Sequence, residues 1–473
     1  VVIIGAYGSA GVAVADGLVD HVGGEIDRLT LVDDGEPGGG LCILRGCMPS
    51  KEVLSAAAHR YQARADHRLD GGAHEMDLES IVDTKDDHVL GFAEHRRGHV
   101  HDLAEREGVE FVHATARLDG ADSVELYEDG PANEPSRTLD ADYVAVSTGS
   151  TLNVPDLPGI EDVHYMDSAD VLDATELPES GVVMGFGYVG LEMVPYLAEA
   201  GVDLTVIEHD ERPLDDAPPA FGDELLDMYR EEFGVEILTT TDEKALEPTD
   251  DDGVRLTCET DSGVERVVDA DELFLFTGRR PNVDGLGLET AGVVPATGYV
   301  RDTMQAAAAE TLFFPGDVNG KEPLLHIAKE QGALAAENIL AHAEDAELEP
   351  FEFTPHHVMF TGAGVYPYAR VGHTAKTARA ALDDPIVTRR HASDDGVFKT
   401  KDVPRGLAEL VVARDGTVVG YQGLHYHADA MAKTMQVIVE MGLDAREIPD
   451  RSFHPTTPEI IDGLLRDAVA RLD

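Results

Sequence analysis

The sequence predicts an α/β protein with two parallel-sheet βαβ domains and an α+β region at the C-terminus. Three observations carry this. "VVIIGAYGSAGVAVADGL" (1–18) and "GVVMGFGYVGLEMVPYLAEAG" (181–201) each read as an apolar β-rich run, a glycine turn, and an apolar segment of helical period. Each is followed by a strand ending in acids, "RLTLVDD" (28–34) and "VDLTVIEHD" (202–210). The C-terminal residues mix strand and helix patterns with no glycine turn of this kind. The two openings are therefore Rossmann-like.

The remaining elements follow in chain order. Residues 54–115 read as mainly helical with polar faces. "YVAVSTGSTLNVPDLPG" (143–159) is a strand running into a Pro/Gly-marked loop, and "LFLFTGRRPNVDG" (273–285) is a second crossover point. After "TLFFPGDVNG" comes a helix, and then the acidic linker "EDAELEPFEFTP". The expected domains are 1–150 and 279–345 (one domain in two parts), 151–278, and 346–473. No repeat of 20–50 residues is evident beyond the duplicated openings.

With 473 residues, 36 basic against 92 acidic, the net charge is −56. That opposes binding to nucleic-acid phosphates and to anionic membranes. The acids are scattered, so one disordered acidic arm is not expected. Self-repulsion of this size is tolerable where salt screens it, the Debye length falling to about 3 Å near 1 M. A cytoplasmic protein of a salt-loving organism is expected. No apolar run reaches the length of a membrane span, and residue 1 already opens a strand, so no signal peptide is expected.

"GFGYVG" sets Gly185, Gly187 and Gly190 in G-x-G-x-x-G spacing. Such glycines give a tight turn, close approach of a pyrophosphate, and close helix–strand packing, while the helix N-terminus offers N–H groups to phosphate. Glu208, at the end of the next strand, could hold a ribose 2′-hydroxyl. The first copy is irregular: Gly5, Gly8 and Gly11 fit only if Tyr7 is an inserted residue. Its ribose acid is Asp33 or Asp34. Two dinucleotide sites imply two dinucleotides and electron transfer between them.

Of three cysteines, two lie in "GGGLCILRGCMPSK" (38–51), at i and i+5. Along a straight helix that separation is about 7.5 Å of rise, too far for a disulfide. Cys42 and Cys47 can bridge only if Cys42 lies in a bent entry and a helix begins around Cys47. A thiolate at a helix N-terminus has a lowered pKa. A zinc site with His59 and a pair of unbridged thiols are the alternatives to a redox-active disulfide. Cys258, far away, reads as a core thiol. His425 and His427 read as dimer-interface residues rather than metal ligands, and no metal is expected.

Two dinucleotide fingerprints with C-x4-C-x-P-S-K between them resemble the pyridine nucleotide–disulfide oxidoreductases, a family that includes glutathione reductase, dihydrolipoyl dehydrogenase and mercuric reductase. "TGS" (148–150) and "FFPGDV" (313–318) are similar to the family's later FAD-contacting segments, "TGRRPN" (277–282) to its interdomain turn, and "SFHPTTPE" (452–459) to its C-terminal H-P-T element. The resemblance implies FAD and NAD(P)H as cofactors. It implies that Thr148, Gly149 and Asp317 contact FAD, with Asp317 on the ribityl chain, and that Arg279 belongs to the interdomain turn. Tyr188 would gate the nicotinamide face, and Lys51 would pair with Glu192 beside the flavin. Cys47 would be the flavin-proximal thiolate of the charge-transfer pair, and Cys42 the exposed thiol that attacks substrate. His454, oriented by Glu459, would be the acid–base. In the family this histidine comes from the partner subunit, so an obligate homodimer with a C-terminal dimerisation domain is implied.

Departures from the relatives narrow the substrate. This chain has His454 and ends "DAVARLD", without the C-terminal cysteine pair of mercuric reductases or the extra redox groups of large thioredoxin reductases. Glutathione reductases hold glycine carboxylates with arginines where this chain has Asp16, Gly17 and Ala333. A small disulfide without glycine carboxylates, bis-γ-glutamylcystine, is therefore expected. Dihydrolipoyl dehydrogenase activity is the runner-up, followed by mercuric reductase and a non-catalytic flavin redox sensor. Glu208 favours NADH, whereas His209 and Arg212 could clamp a 2′-phosphate.

Overall fold

The computed structural model describes residues 1–72, 74–451 and 453–472. The chain divides into two compact units. The first comprises Val1–Ser50, Thr84–Asn153 and Arg279–Phe353, and the second Lys51–Asp83, Val154–Gly278 and Thr354–Asp473.

In the first unit, five parallel strands run in the order Leu312–Phe313, Val144–Val146, Val2–Ile4, Leu29–Asp33, Val109–His113. Val2, Ile3 and Ile4 are all buried, as a central parallel strand covered on both faces requires. The helices Ser9–Leu18 and Leu325–Ala343 pack together on this sheet through small residues. A Cβ at Gly17 would stand 2.6 Å from Ala336 Cβ, and one at Gly332 2.5 Å from Ala10 O. An antiparallel sheet of Thr115–Leu118, Ser123–Tyr127 and Arg137–Asp140, and a two-stranded ribbon pairing Ser150–Leu152 with Arg279–Pro281, complete the unit. The sequence reads 143–159 as one strand running into a loop; the second strand within it, Ser150–Leu152, has a ribbon partner about 130 residues on, beyond the reach of a local pattern.

In the second unit, four parallel strands are ordered Glu236–Leu238, Asp203–Ile207, Ser180–Met184, Glu272–Leu275. The helix Tyr188–Glu199 follows the second glycine turn. A five-stranded antiparallel sheet takes the order His356–Met359, Tyr368–Gly372, Val418–His425, Gly406–Val412, Ile386–His391. The helices Ala428–Glu440 and Glu459–Leu472 each show one apolar, buried stripe. Residues 54–115 are mainly helical, in Cys47–Ala65 and Leu78–Ala104. Among the described residues no helix is long and apolar enough to cross a membrane.

Candidate active site

The two glycine turns use the same contacts at different spacing. Gly5 and Gly185 both have left-handed φ, +88° and +95°. A Cβ on either would strike a carbonyl oxygen at the end of the neighbouring strand, Ser147 O for Gly5 and Phe276 O for Gly185. A Cβ on Gly11 would collide with Gly5 O, as one on Gly190 would with Gly185 O. Gly8 and Gly187 are the N-caps of the following helices. Equivalent glycines are thus six residues apart in the first turn and five in the second. The additional residue is accommodated by burying Tyr7, whose ring packs on Phe111 and whose hydroxyl lies 2.7 Å from His101 Nε2.

The strand-end acids match in the same way. Asp33 accepts from Gly35 N–H at 2.8 Å and Glu208 from Asp210 N–H at 2.9 Å, each two residues on. Asp33 also accepts from Tyr7 N–H at 2.9 Å. Burial raises the pKa of both acids. Asp34 instead accepts from Thr115 Oγ1 at the surface. Both loops fit a dinucleotide: a tight glycine turn with no side chain at the helix N-cap, Gly8 or Gly187, leaves the helix N-terminus open to a pyrophosphate, and a half-buried carboxylate stands at the next strand end. His209 lies between Asp242 and Glu243, and Arg212 is taken by Glu211 and Asp223, so neither presents an uncommitted cation to a phosphate.

In the first unit the "TGS" and "GRRPN" segments interlock. Thr148 Oγ1 donates to Asn282 O at 2.7 Å, and Asn282 N–H to Gly149 O at 3.0 Å. Asp317 is half-buried and accepts from Ser150 Oγ at 2.9 Å. Arg279 Nη2 donates to Ser150 O at 2.7 Å. Burial raises the Asp317 pKa, opposed by the Ser150 bond and Arg279. A carboxylate so placed suits a polyhydroxy ligand that donates to it.

The sulfurs meet. Cys42 lies in the helical turn Leu41–Leu44, Gly46 bends the chain, and the helix Cys47–Ala65 begins at the second cysteine. Cys42 Sγ donates to Cys47 Sγ at 2.8 Å. That bond, then burial, holds the Cys42 thiol well above its usual pKa, while Arg96 acts in the opposite sense. Cys47 accepts that bond at the first position of the helix Cys47–Ala65. Cys42 is half-buried, folded into its turn beneath Gly46, and Cys47 is exposed at the start of its helix.

In the second unit, Lys51 Nζ donates to Glu192 Oε2 at 2.6 Å and lies 4.5 Å from the Phe360 ring centroid. The other Glu192 oxygen accepts from Phe360 N–H at 2.9 Å. Tyr188 is half exposed at the first helical position, with its ring edge-on to His357. His454 Nδ1 is 3.0 Å from Glu459 Oε1, which also accepts from Thr456 N–H at 2.9 Å. These bonds lower the Glu459 pKa, the Thr456 bond most. Ser452, which opens the H-P-T element, lies outside the described residues.

A second correction concerns His425. It is fully buried beside Tyr421 and Phe398, its pKa lowered to about 4 by burial, so it is a core group and not an interface one. His427 is half-buried, 3.2 Å from Thr457 Oγ1. Cys258 is buried, as expected.

Sequence reasoning missed Arg96, the Asp16–His99 pair, and the clamp of Arg60 and Arg64 on Glu199. For Arg96 a signal existed: "HRRGHVH" is a basic run in a strongly acidic chain.

Comparisons agree with this geometry. Residues 1–332 match the family described as pyridine nucleotide-disulphide oxidoreductase, and residues 358–464 match its dimerisation domain. Dihydrolipoyl dehydrogenase of Halobacterium salinarum is 29% identical, covering 89% of this chain and 87% of the relative. A mercuric reductase of Streptomyces lividans is also 29% identical, covering 88% and 86%. In fold, the chain resembles the HOCl-induced flavoprotein disulfide reductase RclA from Escherichia coli, with a TM-score of 0.81, 21% identity, and coverage of 100% and 99%. The chain belongs to the pyridine nucleotide–disulphide oxidoreductases, flavoproteins that work with FAD and NAD(P)H.

Proposed function

We propose that this protein is an NAD(P)H-dependent reductase of bis-γ-glutamylcystine, acting as a homodimer in the cytoplasm of a halophile. The reaction is RSSR + NAD(P)H + H⁺ → 2 RSH + NAD(P)⁺. The observation that carries it is the sulfur pair at 2.8 Å, with Cys42 donating to Cys47 at a helix N-terminus. Gly5, Gly8, Gly11, Asp33, Thr148, Gly149, Asp317 and Arg279 would hold FAD. Gly185, Gly187, Gly190 and Glu208 would hold the nicotinamide dinucleotide, with Tyr188 over its entry, while His209 stays with Asp242 and Glu243. Bound FAD supplies a two-electron relay between nicotinamide and sulfur.

The chain's own groups then divide the work. Once reduced, Cys42 passes its thiol proton to His454 of the partner subunit and attacks one substrate sulfur, and the first thiol leaves with that proton. Glu459 holds that imidazole by Nδ1, leaving Nε2 for proton transfer. Cys47 next attacks Cys42 Sγ, so the second thiol leaves and the protein disulfide closes. Lys51, fixed by Glu192, keeps a positive charge near the helix entry.

The substrate assignment draws on what two helices lack. A side chain at Gly17 would meet Ala336, Asp16 bears the wrong sign for a carboxylate, and Ala333 has no charge. Glycine carboxylates would find no cation there. Dihydrolipoyl dehydrogenase activity is the second reading, favoured by the relatives that bear that name. The test is a panel of bis-γ-glutamylcystine, glutathione disulfide, cystine and lipoamide, each with NADH and NADPH in molar KCl. Turnover of lipoamide alone would overturn the first reading.

A further inference from the structure

The first glycine turn holds one residue more than the second, and that residue, Tyr7, is 3% exposed. Its N–H donates to Asp33 Oδ2 at 2.9 Å, and its hydroxyl lies 2.7 Å from His101 Nε2. Its ring packs on Phe111 with centroids 5.1 Å apart and stacks on His101 at 6.1 Å. The strand-end acid, the helix Leu78–Ala104 and the strand Val109–His113 are thus joined through one residue.

The same ring faces the glycine run before Cys42. A Cβ at Gly38 would stand 2.2 Å from Tyr7 Cδ2 and from Tyr7 Cε2, and the φ of Gly38 is not left-handed, so the ring is what excludes a side chain there. A Cβ at Gly40 would stand 3.3 Å from Tyr7 O, and Gly40 caps the turn Leu41–Leu44 that holds Cys42. Two neighbouring arginines brace the contact from both sides, Arg96 Nη1 donating to Tyr7 O at 3.1 Å and Arg97 Nη1 to Gly38 O at 3.0 Å. The dinucleotide turn and the sulfur-bearing turn are therefore packed on each other through Tyr7, inside one unit.

The second turn has no such contact to a sulfur and a longer acid at its strand end. Glu208 takes a backbone N–H from Asp210, whereas Asp33 takes one on each oxygen, from Gly35 and from Tyr7. The inserted residue supplies the second of these. A shorter acid, an inserted aromatic residue and a glycine beneath its ring form one set.

We propose that Tyr7 is a positioning residue that seats the Cys42 turn on the first dinucleotide turn, its ring fixing the run Gly38–Gly40 and its N–H aiming Asp33. This rests on the reductase reading above, which puts FAD on that turn and electrons on the sulfurs. Freeing the run gives the dithiol form conformations that the bridged form lacks, so the disulfide closes less readily.

The test reads two quantities other than turnover, on holoenzymes in molar KCl. One is the rate of FAD release on dilution, followed by flavin fluorescence. The other is the Cys42–Cys47 dithiol–disulfide constant in dithiothreitol buffers, followed by quenched alkylation. Tyr7→Ala speeds FAD release and shifts the sulfur equilibrium roughly tenfold towards dithiol, about 30 mV. Tyr7→Phe keeps the ring and stays within about twofold of wild type, while Gly38→Ala drives a methyl into the ring and shifts both quantities as Tyr7→Ala does. In the double variant Gly38→Ala/Tyr7→Ala the methyl enters the space the ring has left, so the loss is smaller than the sum of the two single losses. If Tyr7→Ala cannot be purified with FAD, Gly38→Ala against Tyr7→Phe makes the same comparison. Strictly additive effects overturn the proposal, as does an unchanged sulfur equilibrium in Tyr7→Ala or, in its place, in Gly38→Ala, which would confine Tyr7 to the cofactor. A wild type that holds no FAD, or whose two cysteines never bridge, overturns the reading beneath the proposal and the proposal with it.

Discussion

Glu199→Gln removes one charge from the most enclosed ionic cluster of the second unit. The Glu199 side chain is 1% exposed, and both its oxygens are taken by arginines of the helix Cys47–Ala65. Arg60 binds Oε2, while Arg64 reaches Oε1 through Nε at 2.8 Å and Nη2 at 2.5 Å. Removing one partner of a buried pair costs roughly 3–5 kcal/mol, because the other charge is left desolvated. Here the arginines are 27% and 31% exposed, so water partly compensates them. Arg64 also keeps Glu232 O at 2.6 Å and the faces of Tyr61 and Phe233. The expected loss is therefore nearer ~2–3 kcal/mol, below the full buried-pair penalty. Urea unfolding followed by far-UV circular dichroism in molar KCl measures it, since salt screens a buried pair little. Replacing Glu199, Arg60 and Arg64 together with Leu, Met and Met should recover most of the loss. A loss below ~0.5 kcal/mol for the single variant is what a surface pair gives, and would refute the reasoning.

Other expectations follow from the same geometry. Cys42→Ser and Cys47→Ser should each lower disulfide reduction by about a thousandfold or more while FAD stays bound, because the two sulfurs act as one unit; steady-state assays with flavin spectra check this. His357 and His425 have folded pKa values of about 4, both lowered first by burial, against an ordinary value of 6.5. The unfolded chain therefore binds protons that the folded one refuses. Stability is full above pH ~6.5 and falls towards pH ~4 by up to roughly 3 kcal/mol for each residue. His425→Gln should flatten that part of the urea-midpoint profile, and a profile identical to wild type would refute the assignment. Melting temperature should rise steeply with KCl, given a net charge of −56. A flat melting curve against salt would remove the halophilic reading.

Legibility in the sequence tracked the range of the physics. The glycine turns, the strand-end acids and the helix start at Cys47 are set by contacts within a few residues, and each was visible. The Cys42–Cys47 meeting was visible too, because a bent entry before a helix start was the one geometry that let i and i+5 approach. Relative burial was not. His425 lies in a strand whose alternation does not say which sheet, helix or copy covers it, and its burial depends on Tyr421 and Phe398. The Glu199 clamp joins residues about 135 apart, so no local pattern announces it. Asp33 differs from Asp34 in a way no local pattern shows: its bond to the N–H two residues on matches that of Glu208.

The charge balance makes the placement of cations informative. With 36 basic against 92 acidic residues, an arginine or lysine in this chain has acids available almost anywhere. Lys51 takes Glu192, Arg60 and Arg64 share Glu199, and Arg405 draws in Glu224, Glu231 and Glu232. Against that background, the neighbouring Arg96 and Arg97 are both held on backbone carbonyls, Tyr7 O and Gly38 O, with no carboxylate in ion-pair range among the described residues. In molar salt, long-range steering is screened within a few ångströms, so an acidic surface neither repels nor guides an anionic disulfide far. Recognition must then come from contact, in a site partly shielded from salt.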